Sequence, residues 1–132
     1  MVKLLIQKGA NVNIKTFDNM TSLHIAAENG HKNVVEYLVK NGANIEAMTD
    51  KKWTPIHCAV NARVDKYKYL STVEFLIKNG ANVNSQDNDG FTPLEISYLM
   101  SKFDKGEKEG RKDVVKLLQK HGAKGDYHTL HF

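Results

Sequence analysis

One cysteine, Cys58, is all that the chain contains, so no intrachain disulfide can form and a reducing, intracellular compartment is the expectation. No apolar run approaches the length of a membrane-crossing helix, and the first residues lack the long apolar stretch of a secretory signal. A cytoplasmic location without membrane contact follows as the expectation. Charge of one sign is missing too: 19 Lys and Arg against 15 Asp and Glu leave +4, with both signs interspersed. That balance favours solubility over a dedicated phosphate-binding face, so no nucleic-acid partner is expected. Also absent are a glycine-rich phosphate loop, a nucleophile elbow and a paired catalytic carboxylate. The chain is therefore not expected to be an enzyme, and no cofactor or catalytic residue is assigned.

What the chain has in quantity is repetition. KNGAN occurs at 40–44 and again at 78–82, with a near copy, QKGANVN, at 7–13. Aligning the Gly-Ala pairs puts Gly9, Gly42, Gly80 and Gly122 in register, separated by 33, 38 and 42 residues. A second anchor precedes the last three: TSLHIAAENG at 21–30, TPIHCAV at 54–60 and TPLEISY at 92–98. A third lies just before each Gly-Ala pair: VKLLI at 2–6, VVEYLV at 34–39, TVEFLI at 72–77 and VVKLLQ at 114–119. At 132 residues, 41% of them hydrophobic, the chain suits one domain built from these units.

Both prolines follow a threonine, which places a hydroxyl at a helix N-cap and a proline at the first helical position, where its missing N–H costs nothing. Leu23, Ala26 and Ala27 then recur at helical spacing, and the alanines are small enough to let a neighbouring helix approach closely. Val34, Val35 and Leu38 form the stripe of a second helix, which Gly42 terminates. NSQDNDG at 84–90 reads as a tight turn into the next unit. A helix pair of this size cannot cover its own apolar faces, so successive copies must stack into a continuous core.

T-P-L-H-x-A, then an apolar V-V-x-x-L-L block, then G-A-x-V-N, at a period near 33, resembles the ankyrin repeat across nearly the whole chain. The resemblance implies an all-α solenoid of stacked helix–turn–helix units with β-hairpin or turn fingers, spanning 1–126. Within it, 1–16 is a partial repeat and 17–49, 50–86 and 87–124 are full repeats, with insertions near 64–70 and 102–113 and a tail at 127–132. The resemblance further implies a non-catalytic module that binds a protein partner through a concave groove of fingers and inner helices. The alternative is a targeting or autoinhibitory segment of a larger multidomain enzyme. Carried over position by position, the fingers contribute Phe17, Asp18 and Met20, then Asp50, Lys51 and Trp53, then Asn88, Asp89 and Phe91. The inner helices contribute Glu28 and Asn29, Asn61 and Ala62, and Leu99 and Met100. Met20, Trp53 and Phe91 occupy one equivalent position, which reads either as hot-spot anchors inside a polar rim or as packing against the neighbouring finger. Truncating Trp53 is expected to weaken binding and leave folding nearly unchanged.

The family's motif histidine bonds back to its threonine, which assigns His24 and His57 to Thr21 and Thr54; Glu95 stands in the histidine's place in the last copy. His128 and His131 lack the cysteine or carboxylate partners of a metal site, so no metal is expected. Cys58 reads as a packing thiol. The first copy has only its second half, which suggests a fragment of a longer array or an apolar edge at Val2, Leu4, Leu5 and Ile6 covered through self-association. Gln119 replaces the apolar residue of the other copies, as in a capping repeat that ends near Asp126. The insertion at 64–70 is expected to extend a helix capped by Asp65, and the charged one at 102–113 to form a solvated flexible loop.

Overall fold

The computed structural model describes residues 11–103 and 108–124. Among these residues six helices follow one another as three antiparallel pairs: α1 (Ser22–Glu28) with α2 (Lys32–Lys40), α3 (Pro55–Val60) with α4 (Lys66–Lys78), and α5 (Pro93–Phe103) with α6 (Lys108–Lys120). The first helix of each pair packs on the first helix of the next, and α2, α4 and α6 stack as a second layer. One apolar seam runs between the layers. Leu23, Ala27, Val35 and Leu38 join Ile56, Val60, Tyr69, Val73 and Leu76, and these join Leu94, Val114 and Leu118, all buried. The apolar spacing read from the sequence thus becomes a continuous core shared by neighbours, the stacked solenoid that the resemblance implied.

The repeated KNGAN is a helix terminator. Asn41 and Asn79 donate their side-chain amides to the carbonyls of Tyr37 and Phe75, each at 2.8 Å. Ala43 and Ala81 then donate backward to Leu38 and Leu76 at 2.9 and 3.0 Å, around a left-handed glycine, which satisfies carbonyls that a helix end leaves open. The asparagine that closes G-A-x-V-N joins repeats. Asn13 accepts the Asn44 N–H at 2.7 Å and donates to the Gly42 carbonyl at 3.1 Å, and Asn84 does the same to Lys124 at 2.7 Å and Gly122 at 3.1 Å. Glu46 takes this place between them, accepting from Asn82 N–H at 2.7 Å.

Both insertions lengthen helices. Asp65 caps α4, its carboxylate accepting the Lys68 N–H at 3.1 Å, so the extra residues of the third repeat add a turn as expected. The charged insertion of the fourth repeat departs from its expected form as a flexible loop: α5 runs through Phe103 and α6 starts at Lys108, with 104–107 outside the described residues. Its Lys, Glu and Arg are good helix formers, and a helix anchored through buried Val114 and Leu118 carries the cost of Gly110, about 1 kcal/mol. The half repeat's apolar edge at 2–6, the tail and the array's end near Asp126 all lie outside the described residues; Gln119 is exposed.

The fingers are turns, and no strand occurs among the described residues. Each closes a three-residue loop. Thr16, Thr49 and Asp87 donate their N–H to the carbonyls of Met20, Trp53 and Phe91 at 2.8, 3.0 and 2.9 Å, and their own carbonyls accept from the N–H of Asn19, Lys52 and Gly90 at 2.9, 2.8 and 3.0 Å. The last loop residue is left-handed, with φ of 62° at Asn19, 60° at Lys52 and 83° at Gly90. Lysine is the poorest fit for that conformation. Lys52→Gly is expected to stabilise the fold by about 1 kcal/mol, read as a higher urea midpoint at unchanged slope; an unchanged midpoint would show that the loop relaxes without strain. Finger also bonds to finger: Asp50 N–H to the Asp18 carbonyl at 3.1 Å, and Asn88 N–H and side chain to the carbonyls of Lys51 and Asp50 at 3.0 and 2.9 Å.

Candidate functional site

The motif histidines lock each inner helix to the next finger. His24 Nδ1 accepts the Thr21 N–H at 3.1 Å, which leaves the proton on Nε2, and Nε2–H points at the carbonyls of Ala47 and Trp53, each at 2.9 Å. His57 repeats this one step on, accepting from Thr54 N–H at 3.2 Å and donating to the Phe91 carbonyl at 3.0 Å. Burial pushes both imidazoles below their ordinary pKa, so the neutral ring is the working form. Glu95 accepts from the Thr92 N–H and hydroxyl at 3.2 and 3.1 Å and so reproduces the cap, but an ionised carboxylate has no proton to donate onward.

Trp53 belongs to the same framework. Its ring stacks on His57 with centroids 5.9 Å apart, and its indole N–H donates to Asp87 at 3.0 Å. Asp87, 8% exposed, also accepts the N–H groups of Asp89 and Phe91, both at 2.9 Å. Sequence reasoning passed over Asp87, although it stands in the register of Thr16 and Thr49, whose hydroxyls accept from Met20 and Trp53 N–H at 3.1 and 3.2 Å. The expectation that truncating Trp53 leaves folding nearly untouched is corrected here: the indole is half-buried and holds two repeats together.

The structure brings six of the expected groove residues together. Asp18, Met20, Glu28, Asp50, Lys51 and Trp53 line one hollow of about 370 Å³ between the first two described fingers and the inner helices, with Thr49 and Cys58 completing the wall. Phe17 projects from the finger tip at 98% exposure and takes no part in that lining. Asn29 folds its amide onto the Ile25 carbonyl at 2.8 Å, Asn61 is the half-buried C-cap of α3, and Ala62 is buried. Asn88 and Asp89 are exposed on the last finger, while Phe91 and Leu99 are half-buried against the core. The side chain of Met100 lies outside the described residues. Met20 and Trp53 therefore share one cavity, and Phe91 sits a step along.

Cys58 borders this hollow but is 3% exposed, and burial, with help from the Glu28 charge, pushes its thiol up to about 12. It stays protonated near neutrality and so is a poor nucleophile or ligand. Among the described residues no group of three or more His, Cys, Asp or Glu is placed to hold a metal, and no helix is long and apolar enough to cross a membrane. His128 and His131 lie outside the described residues. A larger and more open cavity, about 500 Å³, lies at the far end of the helix pairs against Gly30, Lys32, Tyr67 and Lys68.

A family model for ankyrin repeats, in three copies, matches residues 1–87 and again 47–129. Over 39 residues the chain is 44% identical to the Notch-regulated ankyrin repeat-containing proteins of Xenopus tropicalis, Homo sapiens and Mus musculus, a stretch that is 30% of this chain and 34% of each relative. The match thus covers about a third of those relatives, little more than one repeat. Ankyrin repeats are generally protein–protein interaction modules. With a stacked core, histidine locks and a matching family model over most of its length, the chain belongs to the ankyrin repeat family.

Proposed function

We propose that the chain is a non-catalytic recognition module that holds a protein partner against the concave face formed by its fingers and inner helices. The observation that carries this reading is the hollow in which Met20 and Trp53 lie beneath a rim of Asp18, Glu28, Asp50 and Lys51. Apolar anchors within a polar rim are the composition of an energetic hot spot. The mechanism is preorganisation. Histidine locks and finger-to-finger bonds hold the rim before any partner arrives, so docking orders few groups and modest contacts still yield useful affinity.

The test is affinity capture from native cell extract, with variants of the hollow that leave the histidine locks intact. Met20→Ala combined with Glu28→Ala, both in the hollow, is expected to lose the captured proteins, at a cost of about 2 kcal/mol or roughly thirty-fold, while the cooperative unfolding transition is retained. Lys116→Glu, exposed on α6, serves as the control and should capture as wild type does. An identical captured set from the groove variant, or loss from the α6 variant, would place the binding surface elsewhere.

A further inference from the structure

The hollow carries the opposite charge to the molecule around it. The chain as a whole is +4, yet of the charged residues expected along the groove Asp18, Glu28, Asp50 and Asp89 are acidic and Lys51 is the single base. Three of those carboxylates, Asp18, Glu28 and Asp50, line the cavity, in which Met20 and Trp53 are half-buried and Cys58 is buried. Among the described residues none of the three forms an ion pair. Asp18 and Asp50 accept neutral donors, the Thr16 hydroxyl and the Asn19 amide, and the ion pairs among the described residues lie on other elements: Lys32–Glu36, Lys66–Asp113 and Lys78–Glu74. Glu28 is exposed on the last turn of α1, and its field reaches Cys58 across the hollow.

An apolar lining set among carboxylates selects a side chain with a long apolar stem and a cationic head. Arginine fits best: its methylenes cover the apolar lining, its planar guanidinium stacks on an indole, and its fork of donors engages carboxylates in pairs. A cavity of about 370 Å³ is within the range of roughly 300–1,000 Å³ that suits small ligands and side chains. We propose that this hollow is an arginine-recognition pocket, taking one arginine, with an apolar neighbour, from an extended basic segment of the protein partner. The inference rests on the groove reading above and adds the partner's chemistry to it. The net positive charge elsewhere repels such a segment from the other faces and so helps to direct it to the groove.

The test uses three synthetic peptides that alternate leucine with arginine, with glutamine or with glutamate, titrated into the full chain. Trp53 is the only tryptophan, so its emission reports occupancy of the hollow directly. The arginine peptide is expected to bind about ten-fold tighter than the glutamine peptide, with a preference that shrinks as salt rises. Glu28→Lys, at an exposed site, should cut that preference at least ~3-fold without moving the melting temperature. Equal binding of the arginine and glutamine peptides, or a preference untouched by Glu28→Lys, overturns the arginine assignment. So does a chain that binds none of the peptides. In each of those cases the capture experiment with Met20→Ala and Glu28→Ala decides the groove reading separately. Arginine-peptide binding that changes sedimentation but leaves Trp53 emission constant also overturns it, by locating the acidic docking face elsewhere.

Discussion

Replacing Gly30 with alanine is expected to destabilise the fold by about 3 kcal/mol, the largest effect among the left-handed glycines of the described residues. Gly30 is buried in the turn from α1 to α2 with φ of +66°, a conformation that side chains disfavour. A Cβ there would lie 2.8 Å from Cγ2 of Val64 and 3.1 Å from Cβ of Lys68, so the turn rests directly on the insertion that starts α4. Neither neighbour yields cheaply, because Lys68 Cβ is fixed to the helix backbone. Gly42→Ala separates the two contributions: its φ is +93° but nothing lies within 4 Å of the added carbon, so only the conformational cost of about 1–2 kcal/mol remains. Urea unfolding of both variants, with Gly30→Ala also combined with Val64→Ala, measures the difference. Equal losses for Gly30→Ala and Gly42→Ala would mean that the turn and α4 do not constrain each other.

His57→Ala is expected to cost about 4 kcal/mol and to change the response to acid. The ring is fully buried, so its removal leaves the Thr54 N–H unpaired, strips the Phe91 carbonyl of one of its two donors, opens a cavity and takes the support from beneath Trp53. The pH dependence follows from the direction of the shift. Burial lowers the folded pKa of His57, against the opposing pull of the Phe91 carbonyl and the Asp87 carboxylate, and burial lowers His24 likewise. The unfolded chain therefore takes up protons first, as pH falls through the ordinary value of 6.5. Stability from these rings is complete above that value and declines below it, by about 1.4 kcal/mol per pH unit for each histidine until the folded form titrates. Unfolding free energies measured between pH ~7.5 and ~5.5 should show this slope in wild type and one proton less in His57→Ala. A flat profile in wild type would refute buried, neutral histidines.

Much of the architecture was legible because its signals are local. Thr-Pro pairs set helix starts, Asn-Gly-Ala ends them, and apolar spacing marks the face to be buried, each acting within about one helical turn. Asp65 as the cap of α4 was readable for the same reason. The helical start of α6 was not, since glycine and mixed charge look like a loop until buried Val114 and Leu118 anchor the helix from downstream.

The candidate groove was only half readable. Register alone placed Met20, Trp53 and Phe91 at one equivalent position and left open whether they anchor a partner or pack on the next finger. The fold ties Trp53 to the next finger through a bond to Asp87, which lies 34 residues away. It also separates Phe17, fully in solvent, from the residues that share the hollow.

By itself the sequence determined the repeating unit, the capped starts of its inner helices and the need for neighbours, because periodicity and capping are short-range and each copy restates them. Only the tertiary structure decided which residues of different copies meet: the finger ladder, the Trp53–Asp87 link and the acidic hollow each join residues that lie more than one helix pair apart in sequence. That distance is closed by stacking the apolar seam, and a pattern of residue types carries no direct record of it.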